Sequence, residues 1–152
     1  TPLSRAGLLW AKVLNVLVIE VLQIAVLLSA AALLGYRLSG GVVTAIGFLV
    51  LGSIAFAGIG MFLAGTLRAD ANLAVVNALY LVLIFLGGMA YPLDKLPASV
   101  AAAAKLLPAA ALADLVRSSL NGTTISWGAF GVLVFWAVVM PLLAARTFRW
   151  EE

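Results

Sequence analysis

The chain has 152 residues, of which 65% are hydrophobic and only 10% are charged. Soluble domains average about 45–50% apolar and about 25% charged residues, so this composition indicates a protein whose solvent is largely lipid. The absence of Cys and His excludes disulfides, thiolate metal sites and the commonest general base near neutral pH. The net charge of +3 comes from basic residues spread singly along the sequence, so we expect no nucleic-acid-binding patch.

Four segments are long and apolar enough to cross a hydrocarbon core, which takes about 20 residues of helix. Because lipid cannot satisfy an open backbone, these segments are predicted to be helical. The predicted fold is an all-α polytopic membrane protein with a single transmembrane domain over residues 1–152. Its parts are an N-terminal interfacial helix over 1–12, spans over 13–34, 42–67, 73–91 and 127–145, and a connection over 92–126.

The first span carries polar residues. Glu20 lies inside it, where a charge costs about 2.5–3.5 kcal/mol on insertion scales. On a helix, Glu20 falls within an arc of about 140° that also holds Lys12, Asn15 and Gln23, so this stripe should face protein or water. One interpretation is a pathway lining or a proton-linked carboxylate. The other is an interhelical hydrogen bond, a buried ion pair or the shallow end of a tilted helix. Asn77, in the third span, is more typical of helix packing than of a ligand site.

The connection over residues 92–126 is too long for a turn and too interrupted for a span. Pro92, Pro97 and Pro108 divide it, and proline is tolerated in the first turn of a helix but not further in. We therefore predict two short helices, over 98–107 and 109–120, that re-enter the membrane or lie on its surface. Re-entry requires that protein or a water-filled cavity cover the non-helical backbone.

The basic residues suggest the orientation of the chain. Four spans place both ends on one side, and we expect this side to be the cytoplasm because its short flanks hold Arg5, Lys12, Arg68, Arg146 and Arg149. The predicted location is the plasma membrane, or the inner membrane of a bacterium. Since the sequence begins at Thr1 and shows no signal peptide, we expect a processed product or a piece of a longer chain.

No enzymatic site is expected on this chain. Gly60, Gly65 and Thr66 mimic the start of a phosphate-binding loop, but the required Lys is missing and the stretch lies inside a span. The carboxylates outside the spans are scattered, so they form no hydrolytic constellation. We expect neither a cofactor nor a metal on the chain.

Three stretches resemble the permeases of the ABC-2 type exporter family, and their order and spacing cover nearly the whole chain. Residues 1–12, TPLSRAGLLWAK, are similar to the segment that precedes a span and forms a cytoplasmic coupling helix. Residues 87–97, GGMAYPLDKLP, resemble the family's pattern at the end of its fifth span. Residues 106–117, LLPAAALADLVR, resemble its element of Pro followed by Asp and Arg, although Leu107 stands where the family often has Asn.

The resemblance implies a six-span permease, of which this chain would hold the last four spans. It also implies a homo- or heterodimer of permeases, a partner ATPase that binds the ATP, and export of a drug, lipid or polysaccharide. The re-entrant element would be extracellular, with Asp114 and Arg117 at its polar positions and an i, i+3 salt link possible between them. The segment that meets the ATPase would include Thr1, Pro2, Leu3, Ser4, Arg5 and Lys12.

The main alternative is a small proton-coupled multidrug antiporter. Such proteins also have four spans and one membrane carboxylate in the first, which Glu20 would match. The long connection before the last span argues against this class, because its members have short loops. A membrane-embedded enzyme and an accessory protein without transport of its own are further alternatives.

Overall fold

The computed structural model describes residues 5–35, 40–88 and 93–147. Within these ranges it is built of α-helices and one short 3-10 helix over Leu93–Lys95, which confirms the predicted all-α class. The α-helices are α1 (Arg5–Leu33), α2 (Val42–Thr66), α3 (Ala69–Leu86), α4 (Ala98–Ala104), α5 (Pro108–Asn121) and α6 (Trp127–Thr147).

Four of these helices are long and apolar enough to cross a membrane. They are α2, α3, α6 and the part of α1 over Leu14–Leu33. A single pair of shorter helices, α4 and α5, reaches the same test only when the two are taken together. The chain is therefore an integral membrane protein with about four spans, as its hydropathy predicted.

The first span agrees with the predicted one. The sequence predicted an interfacial helix over 1–12 and a span over 13–34, and the span lies at Leu14–Leu33 within α1, which runs without a break from Arg5 to Leu33. The reason is local, because no proline interrupts these residues and most of them are good helix formers. Thr1, Pro2, Leu3 and Ser4 lie outside the described residues.

The third span begins and ends earlier than predicted. Helix α3 starts at Ala69, where residues 68–72 were expected to form a turn. Alanine favours the helix, and the carboxylate of Asp70 in the first turn interacts favourably with the helix dipole. The helix ends at Leu86, and Pro92 lies outside the described residues.

The chain divides into two units, residues 1–37 and residues 38–152. The first unit consists of α1. In the second, α2 is the central helix and packs mainly against α6 and α5, while α3 makes fewer contacts with α2 and α5. Its core consists of Phe48, Ala55, Ala111, Leu115, Leu133 and Ala137.

The packing of α2 on α6 depends on one glycine. A Cβ atom at Gly58 would lie only 2.7 Å from the backbone nitrogen of Pro141, which is inside α6. Small residues let helix backbones approach this closely where lipid offers no hydrophobic drive for association. Nearer the N-terminal ends of the same helices, Phe48 and Phe130 meet edge to face with ring centroids 6.0 Å apart.

The segment that enters α2 is joined to the end of α5. The Gly40 amide donates a hydrogen bond of 3.2 Å to the carbonyl oxygen of Leu120. A Cβ atom at Gly40 would overlap the carbonyl oxygen of Ser119, so only glycine fits there. The beginning of α2 and the end of α5 are therefore held at the same level of the bundle.

Candidate functional site

The candidate site is built around the bent pair of helices α4 and α5, whose axes differ by 85°. Leu107 has an extended backbone, and Pro108 then begins α5. Proline suits this position because its fixed φ is helical and the amide that it lacks would have no partner there. Pro97 precedes α4 in the same way as its N-cap residue. Two of the three predicted prolines thus mark helix starts.

The corner between α4 and α5 lies deep along the neighbouring spans. The indole N–H of Trp136 donates a hydrogen bond of 2.9 Å to the carbonyl oxygen of Leu106. Trp136 is nine residues from the start of α6, or about 14 Å at 1.5 Å per residue. A hydrocarbon core is about 30 Å thick, so this level is close to its middle.

The contact between α5 and α2 gives the same depth independently. The side chain of Leu112, one turn into α5, lies against Gly52 of α2. Gly52 is ten residues from the start of α2, or about 15 Å along that helix. Since the other end of α5 lies beside Gly40, α5 runs from mid-depth towards the end of the bundle. This geometry is that of a broken span or of a re-entrant segment.

A cavity of about 690 Å³ lies beside the bent pair, and three charged side chains line it. Lys105 comes from the corner, and Asp114 and Arg117 come from α5. The remaining walls are mostly small or apolar, with Ser126 as a further polar residue. Two cations and one carboxylate give this cavity a formal charge of +1. Charged side chains at membrane depth require water or a polar ligand around them, which indicates that the cavity is hydrated.

Arg117 also connects α5 to the end of α3. Its guanidinium donates a hydrogen bond of 3.3 Å to the carbonyl oxygen of Gly88. The predicted salt link to Asp114 is not formed among the described residues, because this donation directs the arginine towards α3. Both side chains nevertheless line the same cavity, so the structure brings these two predicted residues together.

The predicted polar residues of the spans lie on α1 and α3. Glu20 is half-buried in α1 and Gln23 is exposed on the same helix, while Asn77 is exposed on α3. Asn77 does not line the charged cavity. Arg5 and Lys12 belong to α1. In the part of the chain that the structure describes, no three Asp or Glu side chains are placed to hold a metal ion.

Sequence reasoning missed two residues of the site. Lys105 lies in an Ala-rich stretch, inside the predicted short helix over 98–107, where it is the only charge between Pro97 and Asp114. Trp136 was taken as part of an ordinary span. Its indole N–H was a usable signal, because a tryptophan donor in the middle of a span needs a partner.

An apolar cavity of about 520 Å³ adjoins the charged one. The two share Leu106, Gly128 and Val132 as lining residues. The apolar cavity continues along α6, where Phe135 and Trp136 line it and Gly131 leaves its wall open. A charged cavity and an apolar one therefore lie side by side next to the corner.

Comparison with known proteins identifies the family. Residues 1–121 match the family model of the ABC-2 type transporter, which includes α1, α2, α3 and the bent pair. Neither a curated protein nor a solved structure gives a match. The matched region covers most of the chain. The members of this family are membrane components of transporters. The chain belongs to the ABC-2 type transporter family, as the membrane domain of a transport permease.

Proposed function

We propose that this chain is the transmembrane permease segment of an ATP-driven exporter. The observation that carries the proposal is the family match over residues 1–121. It covers both the segment expected to meet an ATPase and the bent pair that reaches mid-membrane depth. The proposed cargo is a hydrophobic or amphipathic molecule, such as a drug, a lipid or a polysaccharide carried on a lipid.

In this proposal the ATP is bound and hydrolysed by a separate subunit. That subunit docks on Thr1, Pro2, Leu3, Ser4, Arg5 and Lys12, and two permeases form a homo- or heterodimer around the pathway. Both ends of the chain then lie in the cytoplasm, and the protein resides in the plasma membrane or the inner membrane of a bacterium. The bent pair would lie on the external side, where it closes the pathway.

The first experiment is purification of the tagged native protein from its own membranes in mild detergent. A soluble subunit with a Walker A motif should co-purify with it. After reconstitution in vesicles, that complex should move a fluorescent amphiphile only when ATP is present. Absence of any ATPase from the native complex, or flux that is indifferent to ATP, would contradict the proposal.

Neutralising Glu20 separates export from proton antiport. In the exporter, Glu20→Gln should leave most of the ATP-dependent flux, since no proton is exchanged for the cargo. In an antiporter, the same change would abolish flux driven by a pH gradient. Gln23→Ala, one turn along the same helix, is the matched control, because it alters the polar stripe without removing a carboxylate.

A further inference from the structure

We infer that the adjoining cavities beside the bent pair bind an amphiphile with a phosphate head and one apolar tail segment. The head would occupy the charged cavity of about 690 Å³, and the tail the apolar cavity of about 520 Å³. The inference rests on the proposed function in one respect, since it gives the chemical class of the cargo. The binding itself needs neither ATP nor a partner.

The charges of the first cavity favour a phosphate. Lys105 is exposed and is the neighbour of Leu106 in the chain. The hydrogen bond from Trp136 to the Leu106 carbonyl oxygen places both residues near the middle of the membrane. In the hydrated cavity the Lys105 ammonium group would exchange water for a phosphate oxygen, which accepts a stronger, charge-assisted hydrogen bond. Arg117 already donates to Gly88 and has further N–H groups for a second phosphate oxygen.

Asp114 places a further condition on the head. Its carboxylate lines the same cavity and repels a simple anion, so the favoured head must also carry hydrogen-bond donors for it. A glycerol hydroxyl or an ammonium group next to the phosphate meets this condition. A choline head does not, because it has no N–H or O–H group.

The second cavity accounts for the tail. Its lining is apolar, with Phe135, Val132 and the ring of Trp136, and it shares Leu106 and Gly128 with the charged cavity. At Gly131 no atom lies within 4 Å of where a Cβ would be, so the wall there is open space. An alkyl segment in this groove would remove apolar surface from the hydrated cavity.

The test is titration of the purified full chain with defined lipids, followed by native mass spectrometry. Phosphatidylglycerol, which has a phosphate and hydroxyl donors, should bind about tenfold more tightly than phosphatidylcholine. Soluble glycerol phosphate, which has the head without the tail, should bind weakly and compete only at high concentration. Equal binding of both lipids would overturn the inference, and so would glycerol phosphate binding as tightly as the lipid.

Two pairs of variants test the residues. Lys105→Gln should weaken phosphatidylglycerol binding about tenfold, whereas Lys95→Gln removes an equal charge outside the cavity and should leave it unchanged. Gly131→Leu should fill the tail groove and weaken binding, whereas Gly47→Leu enters open space on α2 and should not. If the controls reduce binding as much as their partners, the lipid is held by the general surface and the inference fails.

This experiment separates the inference from the proposed function. Selective binding that depends on Lys105, without ATP-dependent flux, would overturn the exporter and keep the site. ATP-dependent flux without selective binding would overturn the site and keep the exporter.

Discussion

Helices α3 and α5 differ in how much of their surface is buried, and the more apolar helix is the less buried one. Helix α3 is apolar enough to span the membrane by itself, yet it has no buried residue. Helix α5 carries Asp114 and Arg117, but six of its residues are buried: Pro108, Ala109, Ala110, Ala111, Leu115 and Ser119. Large apolar side chains gain little from leaving lipid, whereas small ones let backbones approach. Burial in this protein therefore follows side-chain size more than apolarity.

The largest effect should come from enlarging the closest contact of α2. In Gly58→Leu, the new side chain meets the backbone of Pro141, which has no flexible end that could move away. We expect a loss of stability of about 3 kcal/mol or more, measured as unfolding in mixed detergent followed by circular dichroism. Gly47→Leu on the same helix points into open space and should change stability little. Equal stability of the two variants would contradict the role given to small residues.

The next effect tests the difference between α3 and α5 directly. Leu115 on α5 is fully buried, so Leu115→Ala should leave a cavity and destabilise the fold by about 3 kcal/mol. Leu81 on α3 is 55% exposed, and Leu81→Ala should change stability by less than about 0.5 kcal/mol. Both are measured by the same unfolding assay. A large loss for Leu81→Ala would mean that α3 is packed against something outside this chain.

The smallest of the three effects concerns the corner of the bent pair. Trp136→Phe keeps the ring but removes the hydrogen bond to Leu106, worth about 1 kcal/mol. Since the sequence has no Cys, Ala104→Cys supplies a unique thiol that is buried at the corner until it opens. A maleimide that cannot cross the membrane should label it about fivefold faster in the Trp136→Phe background, because 1 kcal/mol corresponds to about that factor. Trp127→Phe removes an exposed indole and should not alter the rate.

Much of the fold could be predicted from the sequence, because it depends on local signals. Runs of apolar residues identified the four spans, and Pro97 and Pro108 identified the helices of the connection. The start of α3 at Ala69 was missed because the polar residues of 68–72 indicated a turn. Asp70 is compatible with the first turn of a helix, and no proline or glycine interrupts the chain beside it.

The site was less predictable because it depends on contacts between distant residues. Asp114 and Arg117 were found through the resemblance, and their spacing suggested a salt link between them. Arg117 instead donates a hydrogen bond to the carbonyl oxygen of Gly88. The depth of Lys105 follows from a hydrogen bond between residues thirty positions apart, and no local pattern encodes it. The close approach at Gly58 likewise depends on the position of Pro141 on another helix.

The two ends of α5 are held by different contacts, and a rotation of the helix would move its two ends by different distances. At the Gly122 end, the Gly40 amide donates a hydrogen bond to the carbonyl oxygen of Leu120. Gly40 also lies so close to Ser119 that no residue with a Cβ atom would fit. At the Pro108 end, Pro108 and Ala109 are buried, and the indole of Trp136 adds a side-chain hydrogen bond to the adjoining corner. The helix has 14 residues between these attachments. It is about 21 Å long, so a rotation of about 10° around the Gly40 attachment would carry the corner through about 4 Å, roughly the width of a methyl group.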